Sequence, residues 1–264
     1  MGEYNDLYRR AVYYDIVFRR DVDAEVEFLR ALFEAYNRRP PRTLVDLACG
    51  PGYHARAFAR EVGVHAIGLD IRPEMAAFAE AEAAQEALAG RLDWMVGDIR
   101  DFTLPEAADI ALTSYDSLDC LVEQHEIVDH LRAVGRNLVP GGLYVVESTH
   151  PRDCTPFRYG AWSYSGSRGD VEVRIDWAIN DPVIDPVTMV VRPETRMQVR
   201  DGGERFEFVD SARERFLYPP ELAALAGVSG ALQLVGWFGD FRLDQPLDNS
   251  EASRRMIAVM RRAG

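Results

Sequence analysis

Asp46-Leu47-Ala48-Cys49-Gly50-Pro51-Gly52, set directly after the apolar run Thr43-Leu44-Val45, decides how the rest of this chain is read. An apolar run that gives way to two glycines and then to Tyr53-His54-Ala55-Arg56-Ala57-Phe58 predicts a strand, a tight loop and a helix from Tyr53 to about Glu61. Glycines let the backbone approach a ligand where a Cβ would collide, and the following helix aims unpaired N–H groups at the same place. Such a loop suits a nucleotide-like ligand without naming it.

A series of acids narrows the choice. Val64 to Asp70 reads as a second strand whose terminal carboxylate, twenty residues after Gly50, is suited to accept hydrogen bonds from both ribose hydroxyls. Arg91 to Ile99 reads as a third strand, with Asp98 suited to accept from an adenine amino group, and Ala108 to Asp116 as a fourth with a polar, aromatic end. Helices are expected from Pro73 to Gly90 and from Asp119 to Leu138, the latter stopped by Val139-Pro140-Gly141-Gly142 before a fifth strand, Leu143 to Glu147. Strands alternating with helices predict an α/β, doubly wound, mostly parallel sheet with its ligand at the carboxyl ends of the strands. A nicotinamide or flavin dinucleotide site is the rival, because Gly50-Pro51-Gly52-Tyr53-His54-Ala55 fits Gly-x-Gly-x-x-Ala. Asp46 at the end of the first strand opposes that reading, and Asp98 is then unexplained.

Taken together, Asp46 to Gly52, Asp70, Gly97-Asp98-Ile99 and Tyr115-Asp116-Ser117 resemble the motifs of class I S-adenosylmethionine (SAM)-dependent methyltransferases. The resemblance covers roughly residues 12 to 150 and, more loosely, the final strands. One departure is Ala48, which stands at the first glycine of the family's acid-x-Gly-x-Gly-x-Gly pattern. What the resemblance implies is a Rossmann-like seven-stranded sheet, SAM as methyl donor and S-adenosylhomocysteine (SAH) as product. Cofactor contacts are implied for Asp46, Ala48, Gly50, Gly52, Asp70 and Asp98, with Ile71 and Ile99 sandwiching the adenine and Met75 beside them. Tyr14-Asp15 resembles an N-terminal segment that closes over the cofactor, where Tyr14 would hydrogen-bond the methionine end or stack on the sulfonium. Tyr115 and Asp116 would lie where the methyl points, the alternative being a helix cap by Asp116 or Ser117. His150, after the fifth strand, is expected to overhang the same edge as a catalytic or substrate contact, the alternative being an ordinary strand-end histidine. The Tyr-Asp N-terminus, the Tyr115-Asp116-Ser117 segment and the stretch before Arg215-Phe216-Leu217-Tyr218-Pro219-Pro220-Glu221-Leu222 look like the amino-sugar and glycine N-methyltransferase branch.

From Thr149 to Tyr218 the pattern changes. Val171 to Trp177, Thr188 to Arg192, Thr195 to Val199 and Arg205 to Phe216 alternate polar and apolar residues, with Asn-Asp-Pro and Asp-Gly-Gly turns between them. This predicts an antiparallel β subdomain, residues 149–218, inserted into a core made of residues 1–148 and 219–264. Leaving the core at the ligand edge and carrying Trp162, Tyr164 and Trp177, it is expected to cover the substrate, with a dimerisation surface as the alternative. The core should finish with a helix from Pro219 to Gly227 and strands from Leu232 to Phe241 and Arg254 to Arg261. On the N-terminal side, Tyr4 to about Arg20 is aromatic and charged, and Asp23 to Tyr36 reads as an amphipathic helix.

Composition bounds the partners. All 30 basic residues are arginines against 43 acids, a formal net charge of −13 that repels phosphate backbones and argues against a polynucleotide substrate. No apolar run approaches a membrane span and the first residues lack a signal-peptide pattern, so a soluble cytoplasmic protein acting on a small molecule is expected, with a homodimer left open. Cys49, Cys120 and Cys154 have no metal-ligand spacing and read as free thiols. The acids show no convincing magnesium cluster either, so a metal-independent N- or O-methyl transfer is expected. A SAM-binding protein without turnover is the second reading.

Overall fold

The computed structural model describes residues 5–61, 63–154 and 157–262; Tyr4 lies outside them. The order begins with α1 (Ala11–Phe18), α2 (Asp23–Asn37), β1 (Thr43–Leu47), α3 (Tyr53–Ala59), β2 (His65–Asp70), α4 (Pro73–Gln85), β3 (Leu92–Val96), β4 (Ala108–Thr113), α5 (Gln124–Asn137) and β5 (Leu138–Thr149). Next come the inserted strands β6 (Trp162–Arg168), β7 (Val171–Trp177), β8 (Val190–Val191), β9 (Glu194–Asp201), β10 (Glu204–Ser211) and β11 (Glu214–Arg215). The chain closes with α6 (Pro219–Ser229), β12 (Leu232–Phe238) and β13 (Arg255–Arg262).

Seven strands form one sheet in the order β12-β13-β5-β4-β1-β2-β3. Its pairs from β5 to β3 are parallel, whereas β13 runs antiparallel to both β5 and β12. The alternation of side chains explains why the central strands are apolar throughout. Val45, Leu47, Ile67, Leu69, Ala111 and Val146 join the cluster beneath α5 and α6, while Leu44, Ala66, Ile110, Leu112 and Val145 join the one beneath α2 and α3. From β1 the chain winds outward to β3 and then crosses back to β4 on the other side of β1. The crevice of a doubly wound sheet therefore opens beyond the carboxyl ends of β1 and β4.

The insertion is a four-stranded antiparallel sheet, β10-β9-β7-β6, with β8 and β11 as a separate pair. Its inner residues Val173, Ile175, Met197 and Val199 pack on Leu7 and Phe18, so the N-terminal segment lies between the two sheets. The approach is closest at Gly166 of β6, where a Cβ would stand 2.2 Å from the Ile16 carbonyl oxygen. Buried Asp15 ties the layers together. It accepts from the Tyr53 hydroxyl of α3 at 2.9 Å and pairs with Arg19 and with Arg168 of β6.

Several boundaries differ from expectation. The helix expected from Asp119 starts at Gln124 behind a reciprocal Glu123/Glu126 capping box, leaving Ser117–Cys120 as a separate 3-10 turn. The Val139-Pro140-Gly141-Gly142 stretch belongs to a longer β5 rather than to a loop. Residues 205 to 216 split into β10 and β11, Thr188 to Arg192 contracts to β8, and β6, with a Ser/Gly-rich sequence, joins the sheet.

His130 of α5 links the core to the ligand edge. Its Nδ1–H donates to the Ile99 carbonyl at 2.9 Å, and the Tyr144 hydroxyl lies 2.6 Å from its Nε2. Burial pulls its pKa down to about 4, with the Ile99 carbonyl and Asp98 only partly opposing. A folded-state value below the ordinary ~6.5 means that this group's contribution is complete above about pH 6.5 and is lost as pH falls toward 4, about 3 kcal/mol in all. Urea titrations at pH 7.5 and 4.5 should show that loss in the wild type and a smaller one in His130→Leu.

Candidate active site

At the crevice the backbone bends sharply. Ala48, Gly50 and Gly52 all take positive φ (54°, 52° and 72°), so the alanine at the first glycine position carries strain that a glycine would not. The loop is held from the next strand. Asp70 accepts the Gly50 N–H on Oδ2 and the Arg72 N–H on Oδ1, each at 2.8 Å, and burial raises its pKa despite these bonds. Asp46 is 1% exposed, accepts the Ala55 N–H at 3.3 Å and is raised by burial to about 6. Its function is to fix the start of α3 from beneath the loop.

A cavity of about 370 Å³, within the range of ligand pockets, runs along this edge beneath the N-terminal segment and the insertion. Ten of the expected residues line it: Tyr14, Ala48, Gly50, Asp70, Ile71, Met75, Asp98, Ile99, Tyr115 and Asp116. Asp98 faces it while its carboxylate is gripped by Arg100. Burial pushes that carboxyl up, but the Arg100 hydrogen bonds hold it below its usual range. Burial also raises the Tyr14 hydroxyl, and the Tyr14 ring stacks at a tilt 4.5 Å from Phe18.

Tyr115 and Asp116 both adopt left-handed φ (57° and 61°), consecutive strained residues at the head of the cavity. Ion pairing between half-buried Arg255, half-buried Asp116 and buried Glu147 maintains them. Arg255 of β13 pairs with Glu147 and, at 2.9 Å, with Asp116, whose other oxygen accepts the Thr149 N–H. Glu147 also accepts the Tyr115 N–H. The Arg20 guanidinium lies 5.2 Å from the centre of the Tyr115 ring.

Three expected residues stand outside the cavity lining. Gly52 and Asp46 lie behind the loop and shape it. His150 is a correction: the 3-10 turn Pro151–Cys154 carries its ring away from the edge, where it is buried and bonded on both nitrogens, Nε2 to the Asp248 carbonyl (2.9 Å) and Nδ1 to the Arg152 N–H (3.2 Å). Its neighbours Thr149 and Asp153 face the cavity instead.

The structure also adds residues. His54, for which the sequence suggests no chemistry, lines the cavity with Nε2 2.5 Å from Glu25. The free thiols Cys49, Cys120 and Cys154 line it too. Asp119 and Glu214, unremarkable in sequence, both line it, and the charge of Glu214 acts on Asp119. Among the described residues no three His, Cys, Asp or Glu side chains cluster as metal ligands, and no helix is long and apolar enough to cross a membrane.

Comparison with known proteins agrees with this architecture. Residues 44–142 match the family model described as a methyltransferase domain. Among curated relatives, a cypemycin N-terminal methyltransferase of a Streptomyces species is 30% identical over 42% of this chain and 44% of its own length. The dTDP-3-amino-3,6-dideoxy-alpha-D-glucopyranose N,N-dimethyltransferase of Streptomyces fradiae is 29% identical over 54% of each chain. The chain thus spans about half the length of these relatives. Over nearly the whole chain the fold matches a SAM-dependent methyltransferase from Clostridium acetobutylicum (TM-score 0.76, 18% identity, 98% of this chain and 100% of that one). It likewise matches the sugar N-methyltransferase KedS8 from Streptoalloteichus (TM-score 0.73, 21% identity, 100% and 94%). With its acids at successive strand ends and its glycine loop, the chain carries a methyltransferase domain over residues 44–142, on a fold shared with SAM-dependent methyltransferases.

Proposed function

We propose that this protein transfers a methyl group from SAM to an amine nitrogen of a small-molecule acceptor and releases SAH. One observation carries the reading: Asp70 and Asp98, at the ends of adjacent strands, face the same cavity as the glycine loop and an aromatic lid. The acids suit the ribose hydroxyls and the adenine amino group, with Ile71, Ile99 and Met75 as apolar walls for the base. The loop backbone at Ala48 and Gly50 receives the methionine portion, and Tyr14 and Tyr115 close on the sulfonium. Relatives named for N-methylation favour nitrogen over oxygen.

The chemistry asks little of a catalyst beyond placement. The amine lone pair forms the N–C bond while the C–S electrons pass to sulfur, so the sulfonium becomes a neutral thioether and its charge moves to nitrogen. Holding the nucleophile about 3–3.5 Å from the methyl carbon, away from water, supplies much of the acceleration, and the thioether, a neutral leaving group, departs without metal assistance. The insertion, residues 149–218, and the N-terminal segment form the cover that excludes water and selects the acceptor. Incubation with methyl-labelled SAM and a panel of amines paired with their alcohol counterparts tests this. Label should enter amines and not alcohols; SAH binding with no transfer to any member would instead favour a cofactor-binding protein without turnover.

A further inference from the structure

Past Tyr115 and Asp116 the cavity continues into a chamber with no assigned cofactor contact. Ser117, Asp119 and Cys120 of the 3-10 turn line it, together with Tyr159, Trp162, Trp177, Glu214 and Phe216 of the insertion. β11 packs on that turn and is anchored there by Arg215, which donates to the Val122 carbonyl at 2.9 Å and pairs with Glu221. Glu214 of the insertion is thereby brought into the field of Asp119 of the core.

These two carboxyl groups are in an unusual state. Asp119 is 8% exposed, lines the chamber, and its Oδ1 has no hydrogen-bond partner among the described residues. Leaving such an atom unpaired is costly, so its persistence points to a ligand that supplies the partner. Burial, followed by the charges of Asp116 and Glu214, pushes the Asp119 carboxyl well above its usual range, and Arg255 opposes only in part. Glu214 accepts a hydrogen bond from the Tyr159 hydroxyl, yet burial and the charge of Asp116 raise it to about 7. The neighbouring cations are engaged elsewhere: Arg255 with Asp116 and Glu147, and Arg213 with Glu123 at 3.6 Å. Cys120, Cys154 and Tyr8 complete the titratable surroundings, and burial raises all three.

We propose that Asp119 and Glu214 form an ammonium subsite, which selects a protonated alkylamine carried on an apolar or aromatic body that Trp162, Trp177 and Phe216 receive. The pairing satisfies Asp119, and cation–π contact with the indoles adds to it. Because an entering cation favours the ionised carboxyls, binding near neutral pH releases a proton from the pair. Before transfer the bound ammonium passes one proton to a carboxylate of the pair, which frees the lone pair that attacks the methyl carbon; the subsite rests on the N-methyl-transfer reading above and deepens it by naming the acceptor class and the residues that choose it.

Calorimetric titration of the SAH-loaded full chain with 2-phenylethylamine and with 2-phenylethanol, in buffers of different ionisation enthalpy at pH 7, separates the possibilities. The amine is expected to bind at least tenfold more tightly than the alcohol and to release a proton. Asp119→Asn and Glu214→Gln, both close in shape to the originals, should each cut that preference tenfold or more while SAH affinity stays within about twofold. Equal binding of amine and alcohol to SAH-loaded protein, or a preference that survives both substitutions, overturns the subsite and leaves the methyl-transfer reading standing. Failure of the wild type to bind SAH overturns that reading and the subsite with it.

Discussion

Arg255→Met is expected to destabilise the protein by about 3–5 kcal/mol at neutral pH, the range for removing one partner of a buried ion pair. The arginine neutralises Asp116 and Glu147, and the Glu147 side chain is only 4% exposed. Burial already raises the Glu147 carboxyl, and Arg255 is the largest influence holding it down. Without Arg255 its folded-state pKa rises further, so the folded state holds a proton that the unfolded chain gives up above about pH 4.3. The deficit should therefore be largest at pH 7.5 and shrink as pH falls toward 5. Urea unfolding of wild type and variant at both values checks the sign. A deficit independent of pH would show that packing, and not charge, is what Arg255 supplies. Tyr115 and Asp116 should relax out of their left-handed conformations in the variant, because the groups that hold them are tied to the same guanidinium.

Asp70→Ala should weaken SAM and SAH binding on the order of a hundredfold, about 3 kcal/mol or more. Two effects combine at this position. The carboxylate is the proposed acceptor for the ribose hydroxyls, worth about 1.5–3 kcal/mol for a bond to a charged group. It also holds the Gly50 and Arg72 N–H groups, so its loss loosens the loop proposed to receive the methionine portion. Asp46→Asn offers a contrast, since Asp46 supports α3 without lining the cavity. Its effect on affinity should be several-fold smaller.

The ligand edge was legible because its demands fall on single residue types at fixed intervals. A backbone in the left-handed region asks for glycine at positions 50 and 52, and a loop held through the Gly50 N–H asks for an acid at 70. The core strands were legible because burial on both faces leaves only apolar runs, as in Ala108–Thr113. The insertion showed its alternation wherever one face is packed, as in Val171–Trp177, and hid β6, whose Ser/Gly-rich sequence carries no such pattern. His150 shows a second limit. Sequence places a residue at the end of a strand but does not say which way the next turn points its ring, and here the turn points it at the Asp248 carbonyl. Asp119 and Glu214 show a third, because they line one cavity only once β11 has docked on the turn after β4. Neither residue has a local signal that separates it from an ordinary surface acid.

The central claim is that the edge formed by β1, β2 and the segment after β3 is a SAM site. Isothermal titration of the purified wild-type chain with SAH, run beside Asp70→Ala and beside NADH, tests it most directly. The account predicts one SAH per chain, an affinity loss on the order of a hundredfold in the variant, and no heat from NADH. Saturable NADH binding with no response to SAH would contradict it.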